Sequence, residues 1–255
     1  MKSLLHFFRE GIAARIVRRL PQHPLIERAC AKVYERVGAN YPYVHMLNQI
    51  ASEVPDGARV VDAGCGTGAL LRHLNYVDSY PGMDGAKDML FRAPIAGRGT
   101  SSIIRLIHGS MEEVSRWPSF HAVVFSNSYY GPDDKRQVLR VIYDKMESGG
   151  VLLISDPRPC PDMMTSASEH FAAYKQEHGQ MALLWHRITV LPRLMLIGLV
   201  NLLIVGMCGC VSPHRLKALV EEAGFRFEGP SDTYARRNLL VVAHKPCGLK
   251  AMAPT

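Results

Sequence analysis

Three glycines and two carboxylates carry the most specific chemical signal in this chain. In VVDAGCGTGALL, residues 60–71, a β-branched strand runs into Asp62 and then into Gly64, Gly66 and Gly68. Glycines so spaced let the backbone turn sharply and approach a ligand without Cβ clashes. A helix is expected straight after them in GALLRHLNYV, its first N–H groups turned toward that ligand. Gly64, Gly66 and Ala69 also satisfy the dinucleotide pattern G-x-G-x-x-A, so the turn alone does not separate cofactor classes. The carboxylates narrow the choice. Asp62, two residues before the first glycine, would crowd a pyrophosphate but could hold an ammonium through ordered water. Asp84, near the end of the next strand, can accept hydrogen bonds from both hydroxyls of a ribose.

A cofactor with a cationic amino acid tail and a ribose but no phosphate meets both demands, and S-adenosylmethionine is such a molecule. At these residues the chain resembles the class I S-adenosylmethionine-dependent methyltransferases, over residues 41–156 and 213–245. Asp62-Ala-Gly64-Cys-Gly66-Thr-Gly68 matches the family's D-x-G-x-G-x-G turn, and PGMDGAKDML is similar to its G-h-D-x-S-x-x-M-L segment, with Asp84 as the ribose acid. IHGSMEEV is similar to the segment that edges the adenine. There the family usually has Gly-Asp and this chain has Gly109-Ser110, so the resemblance implies Ser110 in place of the carboxylate and Met111 packed on the ring. HAVVFSNSYY resembles the fourth strand and its exit, which implies Ser126 and Asn127 beside the cofactor; His121 stands where Asp is common. GGVLLISDP and LKALVEEAGF resemble the fifth strand and a late helix.

On the acceptor side, Asn127, Ser128, Tyr129 and Tyr130 follow the fourth strand at the sheet edge where ligands sit in open α/β folds. They could equally form a turn before Gly131-Pro132. Asp156 ends the fifth strand on the same edge and could take a proton from a hydroxyl or amine, or cap a loop. His170, His178 and His186 recur every eight residues, about 80° apart around a continuous helix. Ordinary packed or solvated histidines outweigh catalytic ones in such a pattern, with His170 the candidate base. Tyr41 and Tyr43 precede the first core helix, where similar enzymes close over the cofactor.

These residues need a frame. Short apolar strands (ARVVDAG, SIIRLIHG, HAVVFSN, GGVLLISD, NLLVVAH, and weaker ones at 79–83 and FRFEG) alternate with helical segments (41–54, KRQVLRVIYDKM, SPHRLKALVEEAG). That pattern indicates an α/β fold whose mainly parallel sheet is buried on both faces. The resemblance implies a doubly wound, Rossmann-like sheet of seven strands, the last antiparallel. The expected organisation is an N-terminal helical extension (1–40), a cofactor-binding domain (41–156 and 212–255) and an apolar helical cap inserted at 157–211.

Of the 255 residues 47% are hydrophobic and 21% charged, which excludes a disordered chain. Thirty Lys and Arg against 23 Asp and Glu leave +7, which permits an anionic partner. Six Cys without regular spacing suit a reducing cytoplasm, and no metal site is expected. The N-terminus reads as an amphipathic helix, Leu4, Phe8, Ile12 and Ile16 opposed by Lys2, Arg9, Arg15, Arg18 and Arg19; it could lie on a membrane or pack on protein. Residues 194–211, LMLIGLVNLLIVGMCGCV, hold no charge. A single crossing there would put strands of one sheet on opposite sides of a bilayer, so a cap over substrate is favoured, dipping into lipid at most.

The expected function is therefore methyl transfer from S-adenosylmethionine to a hydrophobic small molecule: a lipid, an isoprenoid quinone or an apolar natural product. Peripheral contact with an anionic membrane accompanies it, and no nucleic-acid partner is expected. A related group transfer from the same cofactor, an NAD(P)-dependent reductase and a noncatalytic ligand-binding relative stay open as alternatives.

Overall fold

The computed structural model describes residues 41–90, 103–158, 163–208 and 210–247, with residues 112, 116, 163 and 190–208 described by backbone alone. The expected extension at 1–40, with its basic amphipathic helix, lies outside these residues. Seven strands form one sheet: β1 (Ala58–Ala63), β2 (Val77–Asp84), β3 (Ile103–His108), β4 (Phe120–Ser126), β5 (Met146–Pro157), β6 (Arg226–Thr233) and β7 (Asn238–His244). Their order across the sheet is β3-β2-β1-β4-β5-β7-β6. The first five are parallel, and β7 runs antiparallel to both β5 and β6. The mainly parallel sheet is the one expected from the strand and helix alternation, and its doubly wound, Rossmann-like, seven-stranded form is the one the resemblance implied.

Successive residues of the central strands serve opposite faces, because a strand's side chains alternate. Val60, Ala122, Val124 and Leu153 pack on Met46, Leu47 and Ile50 of α1 (Tyr41–Ser52). Val61, Val123, Phe125 and Leu152 pack on Leu139 and Ile142 of α3 (Lys135–Lys145) and Leu216 and Val220 of α5 (Pro213–Glu222). Both faces are dry, which explains the unbroken apolar runs. The helices begin where capping chemistry puts them. Asp134 accepts from the Gln137 N–H at 2.9 Å, and Ser212 accepts from the Arg215 N–H at 3.3 Å ahead of Pro213.

Two expectations need correcting. GALLRHLNYV forms no α-helix; only a three-residue 3₁₀ turn, Leu70–Arg72, is present. Leu70 and Leu74 are buried, so the helical spacing does turn one face inward, but β2 opens at Val77 and leaves no length for further turns. At 79–83 the strand is longer than expected: Pro81 sits inside β2, opposite Arg105 of β3, despite lacking an N–H for the ladder. A four-residue helix, α2 (Lys87–Leu90), follows β2.

After β5 comes α4 (Met163–Cys208), helical on both sides of Gly179, whose φ of 81° and ψ of 174° break the run into two arms. It packs on α1 and occupies the segment expected to form a cap. Among the residues described with their side chains, no helix is long and apolar enough to cross a membrane. Residues 194–209 lie outside that set.

Candidate cofactor and acceptor cleft

At the carboxyl edge of the sheet β1 lies between β2 and β4, and the connections leave it in opposite directions. That switch opens a crevice in folds of this class. Here it is a cleft of about 280 Å³, walled by the β1 turn, the ends of β2 and β4, and the first turns of α1.

The turn after β1 is held by its own backbone. The Gly64 and Cys65 N–H groups both donate to the Met83 carbonyl, at 2.7 and 2.9 Å, and Gly68 N–H donates to Cys65 O at 2.8 Å. Gly64 has φ of 83°, and a Cβ there would lie 2.3 Å from that of Ser128. Only glycine lets the β4 exit loop close down on β1, where the Ser128 hydroxyl donates to the Ala63 carbonyl. Gly66, φ 54°, is different. A Cβ there would meet nothing within 4 Å, because its Cα faces the open cleft.

Both acids wall the cleft. Asp84 accepts from the Gly66 N–H at 2.8 Å and from the Ala86 N–H at 2.7 Å, one to each carboxylate oxygen. The glycine-rich turn and the end of β2 are thereby locked together. The Gly66 N–H, which a pyrophosphate would need, already serves a carboxylate. With no long helix after the turn, the anion site of dinucleotide folds is not built. Asp62 is buried beneath the turn, and burial pushes its carboxyl up to about 7. The Tyr80 hydroxyl donates to Oδ2, while Oδ1 has no hydrogen-bond partner. A buried, half-satisfied carboxylate at the floor of a cleft favours a cationic ligand group.

Of the other expected cofactor residues, Met111, Ser126 and Asn127 wall the cleft, and Gly68 (φ 69°) shapes the turn behind it. Ser126 Oγ is buried without a partner. Gly109 donates its N–H to Asp84 O at 3.1 Å, and Ser110 opens the 3₁₀ turn Met111–Arg116; neither reaches the cleft wall. Asn127 has φ of 56°, and its Oδ1 accepts from Asn238 Nδ2 at 2.7 Å. Asn238, buried at the start of β7, also donates to Ser155 Oγ at 3.2 Å and so fixes which way the Asn127 amide faces. Nothing in the spacing pointed to Asn238, since it is 111 residues away. Leu47 also walls the cleft, and its place four residues after Tyr43 on α1 was the available signal.

The acceptor-side candidates separate. Tyr130 walls the cleft. Tyr129 does not: its ring is fully buried, edge-on to Phe125 at 5.2 Å. Asp156 accepts the Tyr129 N–H at 3.1 Å and stands behind that loop rather than on the cleft wall. Burial pushes its carboxyl up to about 7, against the pull of the Tyr129 N–H and Lys135. His170 is also absent from the wall. The 80° spacing does not apply across the Gly179 break. Sixteen residues of straight helix would hold His170 and His186 about 24 Å apart, yet their Nε2 atoms meet at 2.8 Å because the two arms fold together. Tyr174 stacks on His186 with centroids 3.7 Å apart, and Tyr41 donates to Glu177, tying this cluster to α1. His121, the other departure from the pattern, accepts the Arg59 N–H at 3.0 Å and joins β4 to β1.

Comparisons with known proteins place the fold in a family. The methyltransferase-domain family matches residues 34–228. Carboxy-S-adenosyl-L-methionine synthase of Chromohalobacter salexigens is 26% identical over 187 residues, 68% of this chain and 69% of that protein. The synthase of Campylobacter curvus is 24% identical, over 57% of this chain and 67% of its own length. Among solved structures, an S-adenosylmethionine-dependent methyltransferase of Aquifex aeolicus superposes with a TM-score of 0.57 at 12% identity, covering 84% of this chain and 97% of that one. The putative methyltransferase in a complex with the Trm112 activator of Haloferax volcanii gives 0.57 at 17% identity, over 86% and 97%. The [4+2]-cyclase SpnF gives 0.52 at 14%, over 79% and 81%, so the fold alone does not specify a reaction. With three quarters of its length inside the family match, the chain belongs to the methyltransferase-domain family, the class I S-adenosylmethionine-dependent methyltransferases.

Proposed function

We propose that this methyltransferase acts on a neutral, hydrophobic small molecule, such as a lipid, an isoprenoid quinone or an apolar natural product. The supporting observation is the charge of the cleft. Among the described residues its wall carries two acids, Asp62 and Asp84, and no Lys, Arg or His. The acids match a cationic cofactor. The rest of the wall is apolar or hydroxylic, with Tyr43, Leu47, Met89, Met111 and Tyr130, and offers nothing to neutralise an anionic acceptor.

In this mechanism Asp62 would take the ammonium of the cofactor's amino acid end, Asp84 would accept from its ribose hydroxyls, and Met111 would pack on its base. When bound, S-adenosylmethionine would supply an activated methyl group. The chain's part is alignment and exclusion of water. Tyr43 and Tyr130 flank the mouth, where an acceptor must enter. Apart from Asp62 and Asp84, both assigned to the cofactor, no carboxylate or imidazole stands on the described wall, so a proton released by the acceptor would pass to water at the mouth.

A second reading has one observation behind it: both curated relatives named above form carboxy-S-adenosyl-L-methionine. Incubation with methyl-deuterated S-adenosylmethionine and a whole bacterial extract, which supplies both apolar acceptors and small-molecule carboxyl donors, followed by mass spectrometry, separates the two. The proposal predicts S-adenosylhomocysteine and a deuterium-labelled apolar product. A carboxylated cofactor with no labelled acceptor contradicts it.

A further inference from the structure

We infer that the second arm of α4 docks on an anionic lipid surface. In this arm Met181, Leu184, Trp185 and Ile188 are 74, 56, 69 and 62% exposed. At 100° per residue the four fall within an arc of about 100°, a continuous apolar stripe that is left exposed among the described residues. Leu183, on the opposite side, is buried against the domain.

Three features choose lipid over a protein partner. The helix backbone continues to Cys208, and residues 194–208 contain no charged residue. A second copy of the chain would cover one face, whereas a helix apolar all round in composition asks for an apolar medium. The charge is one-sided as well. Residues 180–208, the arm itself, contain no Asp or Glu, while Arg187 and Arg193 are present. That pattern attracts an anionic leaflet and nothing in it repels one. Trp185, an amphipathic indole exposed on this stripe, is the residue type that settles at headgroup level.

The fold also sets the mode of contact. β5, which leads into α4, and the β6–β7 pair, which follows it, belong to one sheet. Both ends of α4 are therefore held on the same side of any bilayer, so the arm lies in the interface and does not cross. Its first arm meets α1 through Tyr41, two residues from Tyr43 on the cleft wall. Lipid contact and the cleft mouth share one helix.

The chain has two tryptophans, buried Trp117 and exposed Trp185. In a Trp117→Phe variant, Trp185 reports alone. Vesicles of phosphatidylcholine with phosphatidylglycerol should shift its emission to the blue and permit quenching by brominated acyl chains, with at least several-fold weaker binding to phosphatidylcholine alone. Leu184→Asn with Ile188→Asn should reduce partitioning tenfold or more and leave S-adenosylhomocysteine affinity unchanged. Co-sedimentation of the wild-type chain gives the same comparison if the Trp117 variant folds poorly. Folded protein whose Trp185 ignores both vesicles overturns the inference. So does sedimentation with Trp185 unquenched, which would assign the contact to another segment, or a concentration-dependent blue shift without lipid, which would assign it to a second copy. Docking does not depend on the acceptor: absence of methyl transfer to any lipid would leave the vesicle result standing.

Discussion

The cofactor cleft and the α4 segment sit beside each other on α1, yet they are built on opposite principles. In the cleft the turn's backbone is committed: the Gly64 and Cys65 N–H groups to Met83, those of Gly66 and Ala86 to Asp84. In the second arm of α4 the described large side chains are mostly exposed, and the arm is held by a few ring contacts around His170 and His186. The cleft is a rigid, acid-lined crevice. The segment, among the described residues, leaves an apolar stripe exposed. Lesions in the first region should therefore cost cofactor binding or folding, and lesions in the second should leave both nearly intact.

The largest effect is expected at Asp84. Asp84→Ala removes two charge-assisted acceptors for the ribose and the clamp between the turn and β2. At about 1.5–3 kcal/mol per bond, S-adenosylhomocysteine affinity should fall by about a hundredfold or more in calorimetry. An unchanged affinity would mean that the cleft's best-placed carboxylate is not the ribose site.

The two glycines sharpen the contrast within the cleft. Gly64→Ala places a methyl 2.3 Å from the Ser128 Cβ at a φ of 83°, so urea unfolding should show a loss of about 2–4 kcal/mol. Gly66→Ala has open space and only the left-handed backbone to resist it, about 1–2 kcal/mol. Its main deficit should be in ligand affinity, where the methyl intrudes on the cleft. Equal stability losses would contradict the steric contrast between the two glycines, and an unchanged ligand affinity in Gly66→Ala would show that the cleft above Gly66 is not a ligand site.

Asp62 gives the pH dependence. Its folded value of about 7 stands above the ordinary 3.8, so the ligand-free protein binds this proton more tightly than the unfolded chain does. Asp62 then favours the folded state most at low pH, and that contribution disappears as pH rises from about 4 to 7. Cofactor binding has the opposite slope, because only the ionised carboxylate pairs with an ammonium. S-adenosylhomocysteine affinity should rise about tenfold between pH 6 and 8 and become flat in Asp62→Asn. A flat wild-type profile would remove the ammonium role from Asp62.

In α4 the expected effect on the cleft is smallest. Burial and the neighbouring His186 hold the His170 imidazole down to about 4. Below about pH 6 the unfolded arm binds the proton more tightly, so the packing of the two arms weakens as pH falls from 6.5 to 4. His170→Ala should loosen the arms, seen as faster amide exchange in residues 163–189, while cofactor affinity stays within a few-fold. A tenfold loss would show that the segment belongs to the cofactor site.

Much of the cleft was legible in the sequence because its geometry is local. Asp62, Gly64 and Gly66 lie within five residues, and one strand–turn unit aims them all. Asp84 ends the strand paired beside β1, so the short path from β1 to β2 predicts its place. The hydrophobic alternation of Val60 with Val61 and of Val123 with Val124 likewise announced a sheet covered on both sides. The errors came where long-range geometry decides. Leu70 and Leu74 have helical spacing, but the distance to β2 permits one turn. Tyr129 and Tyr130 are neighbours of one type, and the tight loop over Asp156 turns one ring into the core and the other to the cleft. The histidine spacing was read along a straight helix, whereas Gly179 folds that helix and brings His170 to His186. Asn238, which orients Asn127, arrives through the antiparallel pairing of β7 with β5, a contact no linear motif records.

The central claim is that the crevice between β1, β2 and β4 takes an adenosyl cation and not a dinucleotide. Isothermal calorimetry of the purified protein with S-adenosylhomocysteine and with NADH, each repeated on Asp84→Ala, tests it most directly. The account predicts saturable binding of S-adenosylhomocysteine that the substitution weakens about a hundredfold or more, and no measurable binding of NADH. Binding of NADH with none of S-adenosylhomocysteine would contradict it.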